Sequence, residues 1–240
     1  SRLESCEKIA QSDPRVTVYP WQLDSDRFLL NVQNGVIDLR EGVLKKHDRK
    51  YLQSQIADVS YDPDAKCPIF DQFLARISGG DPEWVSFIHR LFGYSLTGST
   101  EEERLFLLHG SGQNGKTKLL EIIGEILGDY GQTADFDTFL ESDSDRIRND
   151  IARMQGKRLI TASEPSRKKA LDESVVKQMT GGDTLTARFL NKEFFEFTPS
   201  HTIVMATNDL PQVSGVDQGI WRRLVVVQFP EQFEMRTIRN

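Results

Sequence analysis

Residues 104–117 read RLFLLHGSGQNGKT, an apolar run followed by a glycine-rich loop and a lysine. The second half of this stretch, residues 110–117, matches the pattern G-x-x-x-x-G-K-[ST] in full. The apolar run predicts a buried strand. A helix that begins near Lys116 and stops at Gly128 is predicted by the spacing of five apolar residues: Leu119, Leu120, Ile123, Ile126 and Leu127. A glycine-rich loop between a strand and a helix is an arrangement that cradles phosphate groups.

This loop predicts a site for ATP and Mg²⁺. Its glycines let the backbone fold tightly, so that N–H groups point at phosphate, and the helix N-terminus adds a partial positive charge. Lys116 would reach the β- and γ-phosphates, and the hydroxyl of Thr117 would lie on Mg²⁺. An ordinary glycine-rich turn is the alternative interpretation. The expected nucleotide-binding residues are Gly110, Ser111, Gly112, Gln113, Asn114, Gly115, Lys116, Thr117 and Lys118.

The segment after the loop alternates between strand and helix patterns. A second helix is predicted at about Asp145–Gln155, and three further apolar runs predict strands at Arg158–Ala162, Thr202–Ala206 and Leu224–Phe229. Strands that are continuously apolar and separated by helices indicate a parallel sheet covered on both faces. The sequence therefore predicts an α/β ATPase core over residues 101–240.

Residues 1–100 have a different pattern and predict a small α+β accessory region. A short helix is expected around Leu3–Gln11, and turn signals at Asn34-Gly35 and Glu41-Gly42 separate three short apolar runs, as in a β meander. Two helices should follow. Asp81 can cap the second of them, with Pro82 at its first helical position.

Polar residues follow two of the predicted strands. Parallel sheets bind ligands at the carboxyl ends of their strands. Glu164 stands at such an end and could hold Mg²⁺ or polarise the attacking water. Asn208 stands at another and could hydrogen-bond the γ-phosphate or orient water. Both residues also suit turns, so a purely structural role is the alternative for each.

Composition limits the kinds of protein that this chain can be. It has 240 residues, of which 38% are hydrophobic and 28% charged, with a net charge of −6. A protein that coats nucleic acid is usually basic, so any contact with DNA must be local. No apolar run is long enough to span a membrane. The separated cysteines, Cys6 and Cys67, indicate free thiols in a reducing compartment and predict a cytoplasmic location.

Taken together, these motifs resemble the superfamily 3 helicases, a branch of the AAA+ ATPases, and among them the phage, plasmid and poxvirus-type primase–helicases. The resemblance covers most of the chain. It rests on five ordered motifs and on the preceding segment Asn34–Leu39. The five motifs are Gln113–Thr117, Glu164, the stretch Lys177-x-x-Thr180-Gly181-Gly182-Asp183 followed by Arg188 and Lys192, Ala206-Thr207-Asn208, and Trp221-Arg222-Arg223.

The resemblance implies a replicative helicase motor that hydrolyses ATP at the subunit interfaces of a ring, expected to be a hexamer, and moves along single-stranded DNA. Residues Thr184–Phe197 read as a hairpin that would point into the central channel. Six copies of Lys192, with Arg188, would concentrate positive charge around one strand. A surface hairpin with a solvated lysine is the alternative. Arg223 is the expected arginine finger, with Arg222 as the alternative, and both could instead pair with surface acids.

The chain departs from this family at two places. Many members end the second motif with two adjacent acids, whereas here Ser163 precedes Glu164. Ser163 or a water could therefore assist at Mg²⁺. The family usually continues into a small C-terminal domain and often carries a primase or polymerase module upstream, so the chain is expected to be a fragment.

Two other functions compete with a translocating motor. A P-loop kinase would need an acceptor site and a lid, and a GTPase would need a guanine-reading Asn-Lys-x-Asp; the sequence has neither pattern. A ring or scaffold that uses ATP only for assembly stays open, because Glu164 stands alone.

Overall fold

The computed structural model describes residues 9–11, 13, 17–141, 149–163, 169–190, 192–215 and 217–233. Its first sheet is antiparallel, with strands β1 (Leu29–Val32), β2 (Gly35–Asp38) and β3 (Val43–Lys45) in that order. This sheet is the predicted meander. Of the first predicted helix, residues 9–11 are helical, and residues 1–8 lie outside the described part of the chain.

Two helices follow the meander, as predicted. Helix α1 spans Pro68–Ile77 and α2 spans Pro82–Leu96. The carboxylate of Asp81 accepts hydrogen bonds from the backbone nitrogens of Glu83 and Trp84, at 2.8 and 3.2 Å, so it satisfies two of the unpaired donors at the start of α2. Each helix buries the apolar face that its spacing indicates.

The remaining elements form a parallel sheet with helices and one hairpin. In chain order they are β4 (Leu105–His109), α3 (Lys116–Leu127), β5 (Gly131–Thr133), α4 (Asn149–Ala152), β6 (Leu159–Ser163), α5 (Glu173–Thr180), β7 (Leu185–Arg188), β8 (Phe194–Phe197), β9 (Thr202–Thr207), α6 (Gln218–Trp221) and β10 (Leu224–Gln228). The parallel strands lie in the order β10-β4-β9-β6-β5, and β7 pairs with β8 in an antiparallel hairpin. The predicted α/β fold is confirmed.

Side chains from the central strands enter two hydrophobic clusters in alternation. On β4, Phe106 and Leu108 join one cluster, whereas Leu105 and Leu107 join the other. Strand β9 divides its apolar residues in the same way. The first cluster contains residues of the meander, α1, α2 and α3, and the second contains residues of α4, α5 and the hairpin. The sheet is therefore covered on both faces, which explains its uninterrupted apolar strands.

The packing continues across the expected boundary near residue 100. One cluster holds residues from both sides of that position. The buried guanidinium of Arg158 adds polar contacts: it donates to the carbonyl oxygens of Leu96 and Leu29, the latter at 2.6 Å, and lies 4.4 Å from the ring centre of Tyr130. The meander and α2 are thus fixed to the amino end of β6.

One predicted helix differs from the structure. The helix predicted at about Asp145–Gln155 ends at Ala152, and a tight turn from Ile151 to Met154 follows it. Residues 142–148 lie outside the described part.

Within the described residues, no helix is long and apolar enough to cross a membrane.

Candidate functional site

The loop between β4 and α3 folds tightly at positions where no side chain fits. A Cβ on Gly110 would lie 2.4 Å from the side-chain nitrogen of Asn114 and 2.7 Å from the carbonyl oxygen of Phe229. A Cβ on Gly115 would lie 2.7 Å from Ile77, and this residue has a φ of +88°. Both glycines are therefore required by the close approach of backbone and side chains around the loop.

Lys116 connects this loop to the end of a neighbouring strand. Its ammonium donates to the carbonyl oxygen of Gly110 at 2.6 Å, and to the side-chain oxygens of Asn114 at 3.0 Å and Asn208 at 3.2 Å. The residue is 4% exposed, and burial lowers the pKa of its amine. Among the described residues these acceptors are all uncharged, so the cation has no anionic partner there.

Three adjacent strands end at the same edge of the sheet and bring the predicted polar residues together. In the register, His109 of β4 lies opposite Thr207 of β9, and Ser163 of β6 lies opposite Ala206. Asn208 follows Thr207 directly and contacts Lys116. A cleft of about 350 Å³ opens here, lined by residues 112–118, Ser163, Ala206, Thr207 and Asn208.

The cleft suits a nucleotide phosphate. The start of α3 has no side-chain cap, so its first backbone N–H groups are available to a ligand. The side-chain nitrogen of Asn114 is buried and has no hydrogen-bond partner. A Cβ on Gly112 would meet one atom within 4 Å, the side-chain oxygen of Asn208 at 3.9 Å, so the loop is open on the cleft side. These donors and the unpaired cation match the chemistry of a phosphate group.

The residues expected to hold Mg²⁺ are only partly described. Thr117 is exposed in the cleft and also lines a second cleft of about 470 Å³ with Glu121 and Glu125. Ser163 lines both clefts, whereas Glu164 lies outside the described residues. In the described ranges, no group of three His, Cys, Asp or Glu residues could hold a metal ion.

Two of the predicted nucleotide contacts have more exposed positions. Ser111 is exposed on the loop and does not line the 350 Å³ cleft. Lys118 does line it, but its ammonium lies 2.6 Å from the carboxylate of Glu121 on the same helix.

The adjacent arginines before β10 have different environments. Arg223 is 8% exposed and donates to the hydroxyl of Thr180 at 3.2 Å and to the carbonyl oxygen of Gly219 at 2.8 Å. It also pairs with Glu103 at 3.0 Å. Arg222 contacts Glu103 too, but its side chain is 61% exposed. Arg223 is therefore buried within the chain, and Arg222 is at the surface.

Replacing Arg223 with alanine should lower the stability of the folded chain. The change removes two hydrogen bonds and an ion pair from a buried position, which costs on the order of 3 kcal/mol. Because Glu103 is partly exposed, this expected loss of stability lies at the low end of the range for buried ion pairs. Thermal melting should show a Tm lower by roughly 6–12 °C. Arg222→Ala is the matched control, with an expected loss below about 1 kcal/mol. Equal melting of the two variants would contradict a structural role for Arg223.

The predicted hairpin is confirmed, with Arg188 opposite Phe194 in the register. Lys192 is exposed, and its backbone nitrogen donates to the carbonyl oxygen of Phe189 across the turn. The guanidinium of Arg188 lies 4.7 Å from the ring centre of Phe194. The sequence placed the aromatic residues of this tip in the hairpin but gave them no role, although the run Phe194-Phe195 was a signal for one.

The segment between Asn208 and Arg222 is anchored to α5, which the sequence pattern did not reveal. Lys177 pairs with Asp217 at 2.5 Å, and the carboxylate of Glu173 accepts from the backbone nitrogen of Gly215 at 2.6 Å. Lys177, the first residue of the Lys177–Asp183 motif, therefore fixes the segment that leads to Arg222 and Arg223.

Two families match different parts of the chain. The family described as "D5 N terminal like" matches residues 1–79, and "Family of unknown function (DUF5906)" matches residues 108–223.

Similar curated proteins come from viruses. "Putative helicase L207/L206" of Acanthamoeba polyphaga mimivirus is 32% identical over 96% of this chain and 24% of that protein. "Putative primase C962R" of African swine fever virus is 26% identical over 84% of this chain and 22% of that protein. The chain therefore spans about a quarter of the length of these relatives.

Among solved structures, the apo C-terminal region of NrS-1 shares the fold. It superposes with a TM-score of 0.56 at 13% sequence identity, covering 72% of this chain and 41% of that one. The chain thus carries a D5 N terminal-like segment, is similar to viral proteins named as putative helicase or primase, and shares the fold of the NrS-1 region.

Proposed function

We propose that the chain is the ATP-hydrolysing motor of a replicative DNA helicase, which assembles into a ring and moves along single-stranded DNA. The observation that carries this proposal is the position of Lys116, whose ammonium joins the glycine-rich loop to Asn208 at the edge where β4, β6 and β9 end. The helicase names of the viral relatives give further support.

Within this proposal, each residue of the cleft has a role. The loop from Gly110 to Thr117 holds the phosphates, and Lys116 exchanges its uncharged oxygen partners for the γ-phosphate. Asn208 orients the attacking water. Thr117 and Glu164 would hold Mg²⁺, which supplies positive charge next to the phosphate oxygens when it is bound. Glu164 would also accept the proton of the water.

Charge that develops on the γ-phosphate calls for a further cation, and among the described residues the cleft has only Lys116 and Lys118. Arg222 and Arg223 precede β10 at the edge where β4 begins, because the backbone nitrogen of Leu105 donates to the carbonyl oxygen of Arg223. The five residues of β4 separate that edge from the loop by roughly 13 Å. A neighbouring subunit in a ring could present its exposed Arg222 to this cleft. We therefore favour Arg222 over the sequence-based expectation of Arg223, since Arg223 is buried.

In the same proposal the hairpin contacts DNA through Lys192 and Arg188. Lys192→Ala should weaken binding to single-stranded DNA and reduce the dependence of the dissociation constant on salt, because fewer counterions are released. The ATPase rate without DNA should be unchanged, since β7 and β8 form a sheet separate from the strands that end at the cleft. The measurement is a salt series of binding curves on the assembled protein. An unchanged affinity and slope would refute the role of Lys192.

The relatives are about four times as long as this chain, which bears on the domains of the full-length protein. We infer that the full-length protein carries a primase or polymerase module upstream, because one relative is named as a primase and the chain spans about a quarter of it.

The experiment that tests the proposal is an ATPase assay with and without single-stranded DNA, combined with a mass measurement of the assembly. We expect a hexameric ring, and we expect single-stranded DNA to stimulate its turnover of ATP. A ring that binds ATP without DNA-stimulated hydrolysis would favour the scaffold function instead. A monomer with full DNA-stimulated turnover would contradict hydrolysis at subunit interfaces.

A further inference from the structure

The tip of the β7–β8 hairpin has an apolar patch on its exposed side. The paired strands alternate: Leu185 and Phe197 are buried opposite each other, whereas the next pair, Thr186 and Glu196, is exposed. Phe194 continues the exposed series and is 63% exposed, although polar residues are usual there. At the adjoining turn, Leu190 is 60% exposed and Phe189 is 39% exposed. Single exposed apolar residues are common, but three at one hairpin tip indicate a contact surface.

The charge of one hairpin gives only a weak attraction to a polyanion. Residues 185–197 contain two cations, Arg188 and Lys192, and two carboxylates, Glu193 and Glu196, so the hairpin has no net charge. The whole chain is acidic, with a net charge of −6. Counterion release from two cations gives only a weak, salt-sensitive attraction to phosphates. A hairpin that binds DNA must therefore gain affinity from a second kind of contact.

Phe194 has the geometry of a stacking surface. The guanidinium of Arg188 lies 4.7 Å from its ring centre and so restricts the ring from one side. Phe189 stacks instead on Phe195, on the other face of the hairpin, at 5.6 Å with an angle of 21° between the rings. Since Phe194 is still mostly exposed, a further flat group can pack against it. Every nucleobase has such a face, which makes base stacking tolerant of sequence.

We propose that the hairpin tip binds single-stranded DNA mainly through its bases, which stack on Phe194, while Lys192 contacts a phosphate. This proposal rests on the function proposed above and identifies the part of the DNA that the hairpin recognises. A motor that moves along DNA of any sequence needs contacts of this sequence-tolerant kind.

The test compares an oligothymidylate with an abasic oligonucleotide of the same length, using the assembled protein over a salt series. Phe194→Ala should weaken binding to the oligothymidylate at least about fivefold at every salt concentration, the low end for one stacked base, without changing the salt slope. Phe194→Tyr should bind like the wild type, and Phe194→Leu should bind like Phe194→Ala. On the abasic strand the wild type should bind as weakly as Phe194→Ala.

The control is Ile69→Ala, which removes an apolar residue that is 81% exposed on α1 and should leave binding unchanged. The proposal is overturned if Phe194→Leu binds like the wild type, or if Phe194→Ala loses affinity equally on both strands. It is also overturned if Phe194→Ala breaks the assembly, because the patch would then contact a second subunit. Wild-type protein that binds no single-stranded DNA would overturn the proposed function as well. If Lys192→Ala weakens binding to single-stranded DNA and Phe194→Ala does not, the stacking proposal is overturned and the proposed function is not.

Discussion

Replacing Lys116 with alanine is expected to lower ATP hydrolysis at least about a hundredfold, as the removal of one stabilising donor from a reaction centre does. Lys116 is the cation at the meeting point of the glycine-rich loop and Asn208, and its three oxygen partners are uncharged. In its absence, nothing in the described cleft replaces the positive charge at the γ-phosphate except Lys118, which is paired with Glu121.

The same substitution should leave the chain folded. It removes three hydrogen bonds and leaves buried oxygens without partners, which costs on the order of 1–2 kcal/mol. Circular dichroism melting and a coupled ATPase assay measure the two effects separately. Lys66→Ala, a change of an exposed lysine before α1, is the control for both. A folded Lys116→Ala protein with wild-type turnover would exclude this loop as the hydrolytic site.

The central strands and the loop were predictable because their signals are local. The run Leu105–His109 is apolar at every position but the last, and Gly110 and Gly115 of the loop stand where a Cβ would collide with neighbours. Strand β5 was not predicted, because its three residues, Gly131, Gln132 and Thr133, lie at the sheet edge and carry no apolar pattern. Its position depends on pairing with β6, which is distant in sequence.

The arginine pair shows what the sequence could not provide. Arg222 and Arg223 are neighbours of the same type, and only their partners distinguish them. Arg223 is buried by Thr180 and Glu103, which lie 43 and about 120 residues away along the chain. The exposed ring of Phe194 was missed for a related reason: whether an aromatic residue in a hairpin is buried depends on which face packs on the core.

Arg222→Ala should reduce the ATPase rate of a ring made only of that variant by about a thousandfold or more, the range for an arginine finger. Nucleotide binding and thermal stability should be nearly unchanged, because the side chain is 61% exposed and lies at the far edge of the sheet from its own cleft. Nucleotide affinity, Tm and turnover are measured on the same preparation. Normal turnover in assembled Arg222→Ala would exclude it as the finger.

The most direct test of hydrolysis between subunits is to titrate Arg222→Ala into Lys116→Ala at constant total protein. A Lys116→Ala subunit retains Arg222, and an Arg222→Ala subunit retains an intact loop, so some mixed interfaces are complete. If subunits mix at random in equal amounts, about one interface in four is complete, because ring contacts join unlike surfaces. We therefore predict that ATPase activity rises to a maximum near equal mixing, although each variant alone is inactive. The titration is repeated with Arg223→Ala in place of Arg222→Ala. If neither set of co-assembled mixtures is more active than the separate variants, hydrolysis at the subunit interface is contradicted.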